Sequence, residues 1–214
     1  MYKPFFASLF DDPQLFLVRF IIVVFSICFN ENMHARVARK LGDDTAVKLG
    51  YAGINPLRQM GVGSLVMLFF IGIAWGKVPV DESRLRGKFA PALVAAAGVI
   101  GNIILSLGFI LAATLVGRFG RNDDMPALEA LFFGGVINLV LAIVNLLPIP
   151  GLDGHAIFSN LLPSVFKRQG NFGKFAIFLS IMLVFLLFGQ IFSLAEVAAI
   201  NMVSFFAQVI KWIS

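Results

Sequence analysis

Two short stretches carry groups capable of chemistry in a chain that is otherwise strongly apolar. The first is Asn30-Glu31-Asn32-Met33-His34, inside FNENMHARVARKLGDDTA at 29–46. On a helix, residues 30 and 34 share a face and residue 31 lies one turn from 34. The spacing is one residue away from H-E-x-x-H, in which two imidazoles hold a metal and the glutamate works on its bound water. The second stretch is NLLPIPGLDGH at 145–155, where two prolines and two glycines break a helix around Asp153. An ionisable group at membrane depth is a functional candidate by default, because an unpaired charge there is costly.

Catalytic zinc takes three protein ligands and a water. The chain has only two histidines, His34 and His155, so a zinc site must recruit other donors. His34 is one candidate, and Asp153 can join it only if both stretches lie on one side of the membrane. Asn30 can offer a neutral amide oxygen, a weak zinc ligand more typical of calcium. His155 can serve instead if the Gly154 turn folds it inward. Glu31 and His34 can also both ligate, as an i, i+3 pair does in helical-bundle carboxylate sites, at the loss of the general base. In the bland alternative, Asn30 and Asp153 are hydrogen-bonded across a bundle with no metal.

The elements that position these groups follow from composition. The 214 residues are 59% hydrophobic and 14% charged, with 24 Phe, whereas soluble chains carry about 25% charged residues. That places the chain among polytopic membrane proteins. The net charge of +5 sits in short loops between apolar runs, which fits anionic lipid headgroups and gives no nucleic-acid footprint. The lone Cys28 excludes an internal disulfide and any Cys-rich zinc knuckle. MYKPFFASLFDDP lacks the pattern of a cleavable signal peptide; Tyr2, Phe5, Phe6 and Phe10 suit an interfacial segment.

Apolar runs at 14–29, 91–117, 129–147 and 175–192 are span candidates, the first continuing as helix to Lys40. The tail 194–213 can span or lie at the interface. The run 65–75 is too short: eleven helical residues rise ~16 Å, about half the hydrocarbon core. Lys and Arg concentrate in 30–60, 77–90 and 160–174. The positive-inside rule makes those segments cytoplasmic and 118–128 external. The assignment requires 47–80 to dip into the membrane and return, as a short sheet or re-entrant loop sheltered by protein. Both polar stretches then end on one side at similar depth. The expected fold is a single all-α polytopic membrane domain, 1–214, with about four to six transmembrane helices and a short β or re-entrant dipping segment at 47–80.

The chain resembles the site-2 protease family, intramembrane metalloproteases with H-E-x-x-H on one transmembrane helix and N-x-x-P-x-P-x-L-D-G on another. Asn145, Pro148, Pro150, Leu152, Asp153 and Gly154 match every fixed position of the second motif. LGDDTA (41–46), NPLR (55–58), AWGK and PV around Trp75 and Lys77, and the AG…N of Gly98 and Asn102 have counterparts in the small bacterial branch. The resemblance runs from about 20 to 165, with helices at 175–213 beyond it. Asn30 replaces the first metal-binding histidine, Gln59 another histidine common in that branch, and Val99 and Gly151 replace prolines.

The resemblance implies zinc held by His34 and Asp153, with Glu31 as general base. It further implies a transmembrane or membrane-proximal peptide substrate held at Asn145 and Asn102. The setting is a bacterial-type inner membrane, with the motifs near the cytoplasmic face. The rival reading is a non-catalytic relative that binds membrane helices or partner proteins. A small transporter is disfavoured because no inverted repeat is visible. Gly98 to Gly101 and the pair Gly134 and Gly135 read as close-packing surfaces.

Overall fold

The computed structural model describes residues 8–166 and 173–213; Tyr2, Phe5, Phe6, Lys167 and Arg168 lie outside them. The order of helices is α1 (Ser8–Asp11), α2 (Pro13–Lys40), α3 (Thr45–Lys48), α4 (Pro56–Gln59), α5 (Gly61–Ile71), α6 (Ala90–Phe119), α7 (Met125–Asn145), α8 (Asp153–Leu161), α9 (Pro163–Phe166) and α10 (Gly173–Ile213). Four of them, α2, α6, α7 and α10, are long and apolar enough to cross a membrane. No strand occurs among the described residues. The all-α polytopic expectation holds, and helix rather than sheet fills the dipping segment.

Local chemistry sets the boundaries. Asp12 caps α2 by accepting from the Leu15 amide at 2.9 Å, with Pro13 in the first turn. Proline in a first turn loses no intrahelical bond. Pro91 and Pro126 open α6 and α7 in the same way. The expected break near 193 is absent, and 173–213 forms one helix of 41 residues. No proline interrupts it, and LAEVAA around Glu196 is rich in good helix formers. At ~60 Å it is about twice the hydrocarbon thickness.

Packing joins the long helices in two clusters. Ile110, Val136, Leu139 and Val140 of α6 and α7 meet Ala195 and Ala199 of α10. Val23, Ile27 and Cys28 of α2 meet Met60 and Leu68 of the α4–α5 segment. A Cβ on Gly134 would stand 2.7 Å from the Phe109 ring, and one on Gly135 would overlap Ile110. These glycines let α6 and α7 approach closely, as the sequence suggested. Outward-facing Leu17, Ile21, Ile104, Leu111 and Leu186 are exposed, as lipid-facing residues are. Arg19 of α2 pairs with Glu129 of α7, its guanidinium 5.4 Å from the Phe133 ring centre.

The segment between α3 and α6 leaves and returns on one side. The eleven residues of α5 end at Gly72, whose φ of 84° reverses the chain. The returning strand-like stretch is tied to the outgoing one. Ser64 Oγ accepts from the Trp75 amide at 2.9 Å and donates to the Trp75 carbonyl at 2.7 Å. The Lys77 amide then donates to the Gln59 carbonyl at 2.8 Å. Residues 59 and 77 are therefore neighbours, and α5 does not connect opposite faces.

The strap that follows is anchored to the end of α2. Buried Asp43 accepts from the Thr45 amide at 2.9 Å and the Asp81 amide at 2.8 Å. The Arg86 amide donates to the Leu41 carbonyl at 2.8 Å, and Arg84 pairs with Asp44 at 3.2 Å.

Candidate metal and peptide site

Residues 26, 30 and 34 form one stripe of α2; residues 30 and 34 face α6, and Ser26 meets Asn138 of α7. His34 Nδ1 donates to the Val94 carbonyl at 2.8 Å. That carbonyl is reachable because Gly98, one turn on, has no side chain to cover it. A Cβ on Gly98 would overlap His34 Nε2 and lie 2.7 Å from Asn30 Nδ2. Gly98 is thus part of the site, a role that its reading as a packing surface missed.

Asp153 arrives from 119 positions further along the chain. Gly151, at φ 98°, turns the backbone after Pro150, and Asp153 becomes the first residue of α8. A carboxylate in the first turn is favoured by the helix dipole. Gly154 lies against the Leu146 and Leu147 carbonyls, where any Cβ would collide. This close approach sets Asp153 Oδ1 3.3 Å from His34 Nε2. Asn30 Oδ1 lies 3.0 Å from the same nitrogen.

A carbonyl only accepts, so the bond to Val94 places a hydrogen on His34 Nδ1, and in the neutral ring Nε2 then faces inward with its lone pair. Nε2 thus has two oxygens within reach, Asn30 Oδ1 and Asp153 Oδ1, an arrangement open both to a cation between the three atoms and to hydrogen bonds from a doubly protonated ring. Ligands 2.0–2.1 Å from a tetrahedral zinc stand about 3.3 Å apart. The observed 3.3 and 3.0 Å are close to that edge. Both separations are compatible with a divalent ion held beside Nε2. In chemistry the set is weaker than three charged or imidazole donors: no group of three His, Cys, Asp or Glu among the described residues is placed to hold a metal.

Glu31 is 9% exposed and lines the cavity beside His34, with its carboxylate pressed on Gly76. A Cβ at Gly76 would stand 2.5 Å from Glu31 Oε1, so the returning stretch 72–80 runs directly past the acid. The cavity measures about 390 Å³. Asn145 and Asp153 line it from the α7–α8 side, and Trp75, Val78 and Val80 line it from the returning stretch. Asn102 of α6 also lines it and is fully buried.

His155 is turned away. Its ring stands edge-on to Phe166, centroids 5.6 Å apart, and it does not line the cavity. Its place on the α8 helix, two residues past Asp153, sends the two side chains in different directions. Gln59, the other departure from the family pattern, donates to the Tyr51 and Gly53 carbonyls at 3.1 and 2.8 Å and pins the loop before α4. Asn32 also holds that loop, through Ala52 O at 2.5 Å.

The fold and site together define a multi-pass helical membrane protein with an acid, an imidazole and a carboxylate gathered in one cavity. The chain belongs to Peptidase family M50, whose description matches residues 116–189. It is 34% identical over 150 residues to "Putative zinc metalloprotease YwhC" of Bacillus subtilis, covering 67% of this chain and 68% of that one. It is 30% identical over 157 residues to "Putative zinc metalloprotease MJ0611" of Methanocaldococcus jannaschii, covering 71% and 76%. Against "Putative zinc metalloprotease Rip2" of Mycolicibacterium smegmatis it is 29% identical over 154 residues, covering 67% and 58%. No solved structure matches.

Proposed function

We propose that this protein is an intramembrane metalloprotease that hydrolyses transmembrane or membrane-proximal peptides. The observation that carries the reading is the meeting of His34, Asn30 and Asp153 around one point, with Glu31 beside it in the same cavity. His34 Nε2, Asp153 Oδ1 and Asn30 Oδ1 would hold the ion. Bound there, zinc supplies Lewis-acid polarisation of a carbonyl and a water acidified toward neutrality. Glu31 takes a proton at its cavity-facing carboxylate and returns it to the leaving amine.

The peptide enters extended beside residues 72–80, by strand addition. Asn145 offers its amide to the peptide backbone from the α7 side, and Asn102 does so from the α6 side. The Asn30 oxygen makes metal affinity lower than a histidine would. The basic loops argue for a site near the cytoplasmic side of a bacterial inner membrane.

The test is metal content and cleavage by the purified protein in detergent. Zinc per chain should approach one and fall in His34→Ala. A membrane-spanning reporter peptide should be cut by the parent, with Glu31→Gln retaining metal and losing activity by about 10²–10⁴-fold. Asn30 itself favours a second reading, a non-hydrolytic member that keeps the cavity for binding membrane helices. Absence of metal in the parent, with metal gained in Asn30→His, decides for it.

A further inference from the structure

The polar stripe on α2 does not stop at the site. Ser26 lies one turn below Asn30 on the same face, and it is completely buried. Its hydroxyl oxygen accepts from Asn138 Nδ2 of α7 at 2.8 Å. On α6 the register runs the opposite way. Val94 meets His34, and Gly98 meets His34 and Asn30. One turn further, Asn102 is therefore level with residues 26–30. His34 to Ser26 spans eight residues, ~12 Å of helix directed into the bilayer.

Four amide atoms along this path are buried without a hydrogen-bond partner: Asn30 Nδ2, Asn102 Nδ2, Asn102 Oδ1 and Asn138 Oδ1. Asn102 and Asn138 are both 0% exposed. Buried polar groups without partners are rare in folded proteins, because each forfeits its hydration. Two of the four sites donate and two accept. A cation would be repelled by the Nδ2 groups, an anion by the carbonyl oxygens, and an apolar molecule would satisfy neither. Water satisfies both.

We propose that the peptide-free protein holds a chain of ordered water molecules from the metal-site cavity past Asn30 and Asn102 to Asn138. Asn30 and Asn102 both line the metal-site cavity, so water there reaches the first two of these amides. The asparagines thus form an internal hydration site, a store of water within reach of Glu31 on the membrane side of the catalytic groups. The proposal concerns hydration alone and stands whether or not the chain cleaves peptides.

Cysteine accessibility tests it on the full chain in detergent, in a Cys28→Ala background. The reagent is 2-aminoethyl methanethiosulfonate, which reacts only with hydrated, ionised thiol. Asn102→Cys should react at a rate near that of Asn145→Cys in the cavity wall, and at least about tenfold faster than Ile110→Cys in the dry core. An Asn102→Cys rate equal to that of Ile110→Cys overturns the proposal. If Asn102→Cys does not give folded protein, the thermal midpoint of Asn102→Leu decides. A hydrated amide makes that variant equal or less stable, whereas a dry, unpartnered one makes it more stable and sinks the idea.

Discussion

His34 and Asp153 are brought together by a glycine that neither of them touches in sequence: Gly98 clears the space into which the imidazole tips toward the carboxylate. The Nε2–Oδ1 separation of 3.3 Å depends on that clearance, because a Cβ at 98 would occupy the position of Nε2. Gly98→Ala should therefore expel His34 from the site. We expect loss of bound metal and destabilisation by about 1–3 kcal/mol from overpacking, read as metal per chain and as thermal midpoint. Retention of both would show that the ring has another place to sit.

The donor set sets the sensitivity to chelators. An ion held only by the folded state adds RT ln(1 + [L]/Kd) to stability, about 2.7 kcal/mol when free metal is 100 times Kd. Asn30→His should bind zinc more tightly than the parent, and its thermal midpoint should drop further on addition of EDTA. A midpoint unmoved by EDTA in both proteins argues against a metal at this point.

Acid should loosen the strap over the cavity. Burial alone would raise the Asp43 carboxyl, but hydrogen bonds from the Thr45 hydroxyl and the Asp81 and Thr45 amides outweigh it and hold Asp43 below its ordinary 3.8. A carboxylate lowered on folding stabilises the protein above its ordinary value, and that contribution is lost as pH falls below 3.8 through the folded value. Asp43→Asn should be less stable at neutral pH by about 1.5–3 kcal/mol, the range for hydrogen bonds to a charged group. Its stability should also change less between pH 5 and 3. Identical acid limbs in parent and variant would contradict this role.

The doubled-back course of α5 fixes sidedness. Ser83→Cys in the strap and Arg121→Cys in the α6–α7 connection should be labelled from opposite sides of sealed vesicles by a membrane-impermeant maleimide. Labelling of both from one side would require α6 not to cross.

The helices were legible because apolar run length is a local signal: the expected starts at 14, 91 and 129 lie within four residues of the observed ones at 13, 90 and 125. The short run at 65–75 was readable as non-spanning from length alone. Its helical form was not, because eleven apolar residues suit a buried strand or helix equally. The unbroken helix through 193 was missed because the polar residues in its second half resemble an interfacial segment. Glu31, His34 and Asn30 were picked out by their spacing and Asp153 by the broken helix around it, and all four line the cavity. His155 was named on sequence proximity to Asp153, which helical geometry undoes. Gly76 and Gly98 escaped notice as site residues because a glycine's service here is to be absent, which shows only when its neighbours are known.

The distance in sequence between the imidazole and the carboxylate has a bearing on biosynthesis. At 5–20 residues per second, the ribosome adds Asp153 roughly 6–24 s after His34, and α6 and α7 must both be threaded in the interval. Until then the nascent polypeptide cannot bring the Asp153 carboxylate to the His34 imidazole. Completion of the cavity is thereby deferred until three of the four long helices have been synthesised.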